Sequence, residues 1–286
     1  MGKIVLTSYI SHGAPTSLIE RTKIHNIYES LGKALEECGA DTVVISSPHY
    51  FSGERFEVES REKIPCIQDY LGFPEELYKF SYEARNNSDL VSEIIEQSKL
   101  AGIEAAESQS WGLDHGAWLP LYFMFPKHDV KIVPVSIANG TPEEHFKFGS
   151  AIRSAVERTG GTMAVIGTGS PVHRLDLVRY GYHGEDRFKP GESFDKKLIE
   201  TIASGDFERI LDIREEYSSL FRAAAPEGNL NPLYIALGAS DKNRFVGKTL
   251  LHEFMYYGVS LVAMMLSAGG VLRDSLLRQD FQGALV

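Results

Sequence analysis

The chain has 286 residues, 43% of them hydrophobic and 24% charged, with 29 Lys+Arg against 39 Asp+Glu and a formal net charge of −10. The apolar share is that of an ordinary globular protein, which excludes wholesale disorder, and the lack of a Gly-X-Y period or heptad array excludes fibrous folds. The acidic balance argues against nucleic acid or an anionic membrane surface as the main partner.

Taken in chain order, the elements alternate between strand and helix. Residues 3–9 (KIVLTSY) form an apolar run that reads as a buried strand, too short for a signal peptide. An amphipathic stretch over 18–38, stopped by Gly39, predicts a helix, and 41–47 (DTVVISS) a second buried strand. Together they form a βαβ unit. Asn87, Ser88 or Asp89 caps a helix that runs to about Ala101. A strand over 131–138 is followed by a helix from Thr141 or Pro142 that stops before Gly160-Gly161. A strand over 162–168 and helices over 193–203 and 207–221 continue the pattern. Residues 254–272 carry no charge over nearly the length of a membrane span, but their Gly residues and β-rich centre predict a buried strand at 258–266. The expected fold is α/β: one domain over 1–286, three layers, a central, largely parallel (mixed) sheet with helices on both faces.

Ligand sites in such sheets lie beyond the carboxyl ends of the strands. Three of those ends run into histidines: His12 in Ser11-His12-Gly13, His49 in Ser47-Pro48-His49, and His173 in Ser170-Pro171-Val172-His173. A fourth, His115, lies in a Gly- and Trp-rich loop over 111–118. One such imidazole is ordinarily satisfied by backbone in its turn. Three delivered to one edge point to a metal, because neutral imidazole is the commonest protein metal ligand. Two His with one carboxylate suit non-haem Fe(II), leaving positions open, and also suit zinc. Glu227 is the candidate carboxylate, its alternative role being a helix N-terminal acid. His25, His128, His145, His183 and His252 read as surface or helix-end residues. Cys38 and Cys66 are too few for a disulfide framework or thiolate cluster, and suit a reducing, cytoplasmic location. The loop over 176–192 follows His173 and reads either as a lid or as a surface excursion.

The ordered set Ser11-His12-Gly13-Ala14-Pro15, Ser46-Ser47-Pro48-His49, Asp114-His115-Gly116-Ala117-Trp118, Val172-His173 and the segment 232–239 resembles the class III extradiol ring-cleavage dioxygenases. The stretch Ile67-Gln68-Asp69-Tyr70-Leu71-Gly72-Phe73-Pro74 is most similar to their 4,5-DOPA dioxygenase branch. The resemblance implies an Fe(II) enzyme that cleaves a catechol with O2. His12 and His49 would be metal ligands, His173 the acid/base group, and His115 a histidine that either supports the ligands from behind or contacts substrate and aids His173. For the third ligand the neighbourhood offers Glu227 or, without a gap, Asn229; Glu227 is preferred because a carboxylate offsets the cation's charge. A zinc hydrolase on the same histidines and a non-enzymatic, Memo-like binding protein are the alternatives. A homo-oligomer or a small partner subunit is compatible with the apolar C-terminal third.

Overall fold

The computed structural model describes residues 1–179, 181–182 and 186–278. Ten strands form one mixed sheet: β1 (Lys3–Ile10), β2 (Thr42–Phe51), β3 (Phe56–Glu59), β4 (Lys63–Ile64), β5 (Ala84–Arg85), β6 (Ala105–Ser108), β7 (Lys131–Ile137), β8 (Thr162–Thr168), β9 (Phe245–Met255) and β10 (Val259–Ala268). The order is β4-β5-β7-β2-β8-β1-β10-β9, with β3 pairing β7 and β6 off that path. The central strands β7, β2, β8 and β1 are mutually parallel, while β10 and β9 continue antiparallel. The 254–272 stretch is therefore mainly β10, all of it buried. No helix among the described residues is long and apolar enough to cross a membrane.

Side chains alternate across a strand, so a sheet covered on both sides distributes one strand between two cores. Val43 and Ile45 of β2 join one apolar cluster with Tyr28, Leu31 and Trp118. Val44 joins another with Phe148, Ile152 and Ile235. These clusters hold the helices: α1 (Lys23–Glu37), α3 (His115–Met124) and α10 (Gly270–Leu277) on one face, and α2 (Ser88–Leu100), α4 (Pro142–Thr159) and α9 (Asn231–Gly238) on the other. The remaining helices, α5 (Lys189–Ser204), α6 (Phe207–Leu211), α7 (Ile213–Glu216) and α8 (Ser218–Ala224), pack with α9 and β10 in a third cluster.

Several boundaries differ from the sequence reading. The first helix starts at Lys23, not at 18, because Thr22 and His25 close a capping box and Pro15–Leu18 forms a separate 3-10 turn. Between β1 and β2 lies β8, so the two strands of the expected βαβ unit are not neighbours. The helix expected over 207–221 breaks at Asp212 and Tyr217 into α6, α7 and α8. His115 is the first residue of α3 and is not in a loop, since Asp114 caps that helix by accepting from Ala117 N. His252 lies within β9. His25 and His145 sit in helix first turns as expected, but are buried. His183 lies outside the described residues.

Candidate metal centre

The parallel strands β2, β8 and β1 are adjacent, so their carboxyl ends share one rim. His12 follows β1 by two residues. Its neighbour Ser11 is pinned to β10, with Ser11 N donating to Val262 O at 2.8 Å and Val262 N donating back to Ser11 Oγ at 3.0 Å. His49 lies inside β2 and not beyond it. Pairing with β8 ends at Ser46 and the β7 register slips between Ser46 and Phe51, which frees the backbone around His49. His173 is held at the mouth of β8 by its N–H on Ala224 O at 3.0 Å.

Asp114 ties α3 to β2: its Oδ1 accepts from Ser47 Oγ at 2.6 Å and its Oδ2 from Trp111 Nε1 at 2.9 Å. The approach is so close that a Cβ on Gly116 would stand 2.4 Å from Ser47 Oγ.

Glu227 is not a helix N-terminal acid. It sits in a 3-10 turn before α9, where Gly228, Asn229 and Leu230 have φ of 54°, 55° and 63°. Left-handed backbone at a leucine is strained, and such strain persists only where surroundings over-determine it. Two bonds fix the turn: Glu227 N donates to Ser170 O and Ser170 N to Glu227 Oε2, both at 3.0 Å. Asn229, the alternative third ligand, is exposed.

The free oxygen, Glu227 Oε1, lies 3.0 Å from His49 Nε2, 3.5 Å from His12 Nε2 and 3.6 Å from His173 Nε2. The rings of His12 and His49 are 5.0 Å apart, and His115 stands 5.2 and 4.5 Å from them. A ring nitrogen from each of His12, His49 and His115 fits within a 4.8 Å spread. Behind them Asp69 clamps two imidazoles at once, with Oδ2 2.8 Å from His49 Nδ1 and Oδ1 2.9 Å from His115 Nδ1. Asp69 also accepts from the His115 backbone N–H at 2.8 Å. The sequence showed Asp69 only as part of a resemblance motif and gave Asp114 and Ser170 no role. Their spacing from the histidines carries no period, and only the fold brings them together.

Burial, together with the neighbouring imidazoles, pulls the His12 pKa down to about 3, against the opposing pull of Glu227. That ring is uncharged at neutral pH, the form in which an imidazole binds a metal. Burial would lower His49 too, but its hydrogen bonds to Asp69 and Glu227 override it and raise its pKa to about 11. Burial alone would raise the Glu227 carboxyl; the electrostatic pull of the surrounding His12, His173 and His49 imidazoles and the His49 hydrogen bond hold it well below the usual carboxylate range. The same holds for Asp69 against His115 and His49.

Glu227 and Asp69 thus place two anions around this imidazole cluster, which calls for positive charge at its centre. Without an ion a proton on His49 supplies that charge; a divalent metal bound there would replace it. His12 Nδ1 is buried with no hydrogen-bond partner among the described residues. The donors fit a divalent cation: two imidazoles and one carboxylate turned to a common point, with positions left open. His115, its Nδ1 taken by Asp69, presents Nε2 as a further donor or as a substrate contact. The cluster opens into a cavity of about 350 Å³, within the range of small-molecule sites. Its wall includes Val178 from the segment expected as lid or excursion, and Leu175 just before it; residues 180 and 183–185 of that segment are outside the described residues.

Residues 6–267 match the family model of the catalytic LigB subunit of aromatic ring-opening dioxygenase. The 4,5-DOPA dioxygenase extradiol of Escherichia coli K12 is 30% identical over 239 residues, 82% of this chain and 84% of that protein. That of Mirabilis jalapa is 26% identical, covering 83% and 87%. The 3,4-dihydroxyphenylacetate 2,3-dioxygenase of Escherichia coli is 22% identical, covering 87% and 94%. The crystal structure of an uncharacterized Escherichia coli K12 protein superposes with a TM-score of 0.71 at 21% identity, over 92% of this chain and 100% of that one, which shows a shared fold. With the family model spanning all four strand-end and helix-start histidines and Glu227, the chain belongs to the family of the catalytic LigB subunit of aromatic ring-opening dioxygenases.

Proposed function

We propose that the protein is a non-haem Fe(II) extradiol dioxygenase that opens the ring of a catechol and places both atoms of O2 in the product. The observation that supports this best is the convergence of three imidazole nitrogens on one carboxylate oxygen, Glu227 Oε1, within 3.6 Å. His12 Nε2, His49 Nε2 and Glu227 Oε1 would hold the iron. When bound, Fe(II) supplies Lewis acidity toward the phenolic oxygens and the redox chemistry that dioxygen requires.

The chain's own groups then manage protons and position. Asp69 accepts from His115 Nδ1–H, which fixes the tautomer and leaves the Nε2 lone pair facing the cavity. From there His115 Nε2 holds a catechol hydroxyl by accepting its hydrogen bond. His173 lies partly exposed on the cavity wall. Its Nε2 takes the proton of the second hydroxyl and returns it to the oxygen that leaves as the ring opens. Tyr70, Phe73 and Val259 exclude water around the ring. Two unpaired cysteines and a ferrous cofactor both suit the reducing cytoplasm.

The test is reconstitution with Fe(II) under argon, followed by a catechol and air. Oxygen uptake with a yellow ring-opened semialdehyde acid is expected. Absence of uptake on a broad catechol panel, or undiminished uptake by His12→Ala, overturns the reading.

A further inference from the structure

We propose that this cavity selects catechols whose ring substituent is uncharged and apolar, and discriminates against those that carry a carboxylate. The catechol rests on the ring-cleavage reading; the substituent rests on the cavity wall alone. Beyond the histidines, Glu227 and Ser170 the wall is mainly apolar, with Leu71, Phe73, Leu175, Val178 and Met255; the Tyr70 and Tyr256 hydroxyls donate to Leu77 O and Glu20 Oε2, and no Lys or Arg lines it among the described residues. Leu71 and Leu175 are 89% and 60% exposed at its rim, an apolar entrance of a kind that marks binding surfaces. Met255 comes from the β9–β10 hairpin, which turns through Tyr256 and Tyr257 at φ of 54° and 73°. Left-handed backbone at two tyrosines is strained, so this wall is held in place by its surroundings.

The guanidinium groups on the loop after His173 are turned to other partners. Arg174 makes a bidentate pair with Asp176 and donates to Ala223 O. Arg179 lies over the Tyr257 ring at 4.2 Å and Arg187 over Phe254 at 5.6 Å. The four histidines cluster on Glu227 and Asp69 at the metal end of the cavity, away from the wall that would meet the ring substituent. A substrate carboxylate directed at this wall, away from the metal ligands, would therefore lose its hydration and meet no Lys or Arg to replace it. An alkyl group of the same shape gains roughly fourfold in affinity per buried methylene.

The test compares 4-isobutylcatechol with 3,4-dihydroxyphenylacetate, a branched alkyl against a carboxylate of the same shape. Dissociation constants are measured by titrating the Fe(II)-loaded protein under argon, and oxygen uptake is measured afterwards. The alkyl compound is expected to bind at least about tenfold tighter. Leu175→Arg, a change at an exposed rim position that spares the core, should tighten the carboxylated compound about threefold and narrow the gap. Equal or tighter binding of 3,4-dihydroxyphenylacetate by the unaltered protein overturns the inference, whatever the turnover. Tighter alkyl binding without oxygen uptake upholds the wall's selectivity and overturns ring cleavage. Binding of neither overturns both.

Discussion

Two sets of buried histidines in this protein look alike in exposure and differ in saturation. His25 and His145 stand in the first turns of α1 and α4. His25 Nδ1 meets the Thr22 backbone and its Nε2 the Ser17 carbonyl at 2.6 Å. His145 Nδ1 meets Thr141 O at 2.9 Å and its Nε2 accepts from Ala138 N at 3.4 Å. Both nitrogens of each ring are spent on backbone, so these imidazoles build structure. His12 is as deeply buried, yet one nitrogen has no partner among the described residues and the other faces a carboxylate shared with His49 and His173. Burying an imidazole nitrogen unpaired has a cost, and folding retains such an arrangement where a ligand supplies the missing partner. Saturation, not burial, separates a structural histidine from a binding one.

His12→Ala breaks this contrast most severely. It should abolish stable Fe(II) uptake and lower turnover by about a thousandfold or more, with the melting temperature of the metal-free protein unchanged or higher; metal analysis and calorimetry check it. Next comes Asp69→Asn, which leaves every proposed ligand in place. It should weaken Fe(II) binding about 10- to 100-fold by loosening the orientation of His49 and His115 together, read by competition with a chelator. His25→Ala should do the opposite of His12→Ala: a loss of about 1–3 kcal/mol of stability in denaturant unfolding, with metal binding intact.

A pH dependence sharpens the comparison further. His49 in the metal-free protein has its pKa raised to about 11, above the value near 6.5 of an unfolded histidine. Its contribution to stability is fully present below about 6.5 and is lost as pH rises through about 11. The stability advantage of the metal-free wild type over His49→Gln should therefore shrink between those limits. Iron uptake near neutral pH should release that proton, a release read by calorimetry in buffers of differing ionisation heat.

How much of this was legible in the sequence follows from what each feature depends on. The central strands are continuous apolar runs, and β10 shows itself by the same pattern, so the sheet and its ligand-bearing rim could be read directly. His12, His49 and His173 follow from chain adjacency to those strand ends. The saturation of His25 and His145 was hidden, because it depends on helix caps and on Ser17 and Ala138 backbone groups. Asp69 lies in irregular chain between β4 and a 3-10 turn, and only tertiary contact brings it to two imidazoles. Glu227 was visible as a carboxylate, but its aim depends on left-handed backbone that continues past Gly228 and Asn229, which favour it, through Leu230, which does not. The breaks at Asp212 and Tyr217 were equally silent, since the helical periodicity runs through them.

A crystal of the anaerobically iron-loaded protein, measured with X-rays on either side of the iron absorption edge, bears on the whole site at once. A single iron peak within bonding distance of His12 Nε2, His49 Nε2 and Glu227 Oε1, with Asn229 turned away, is expected. No iron among these side chains, or iron bound elsewhere while Glu227 keeps its contacts to unmetallated imidazoles, would contradict it.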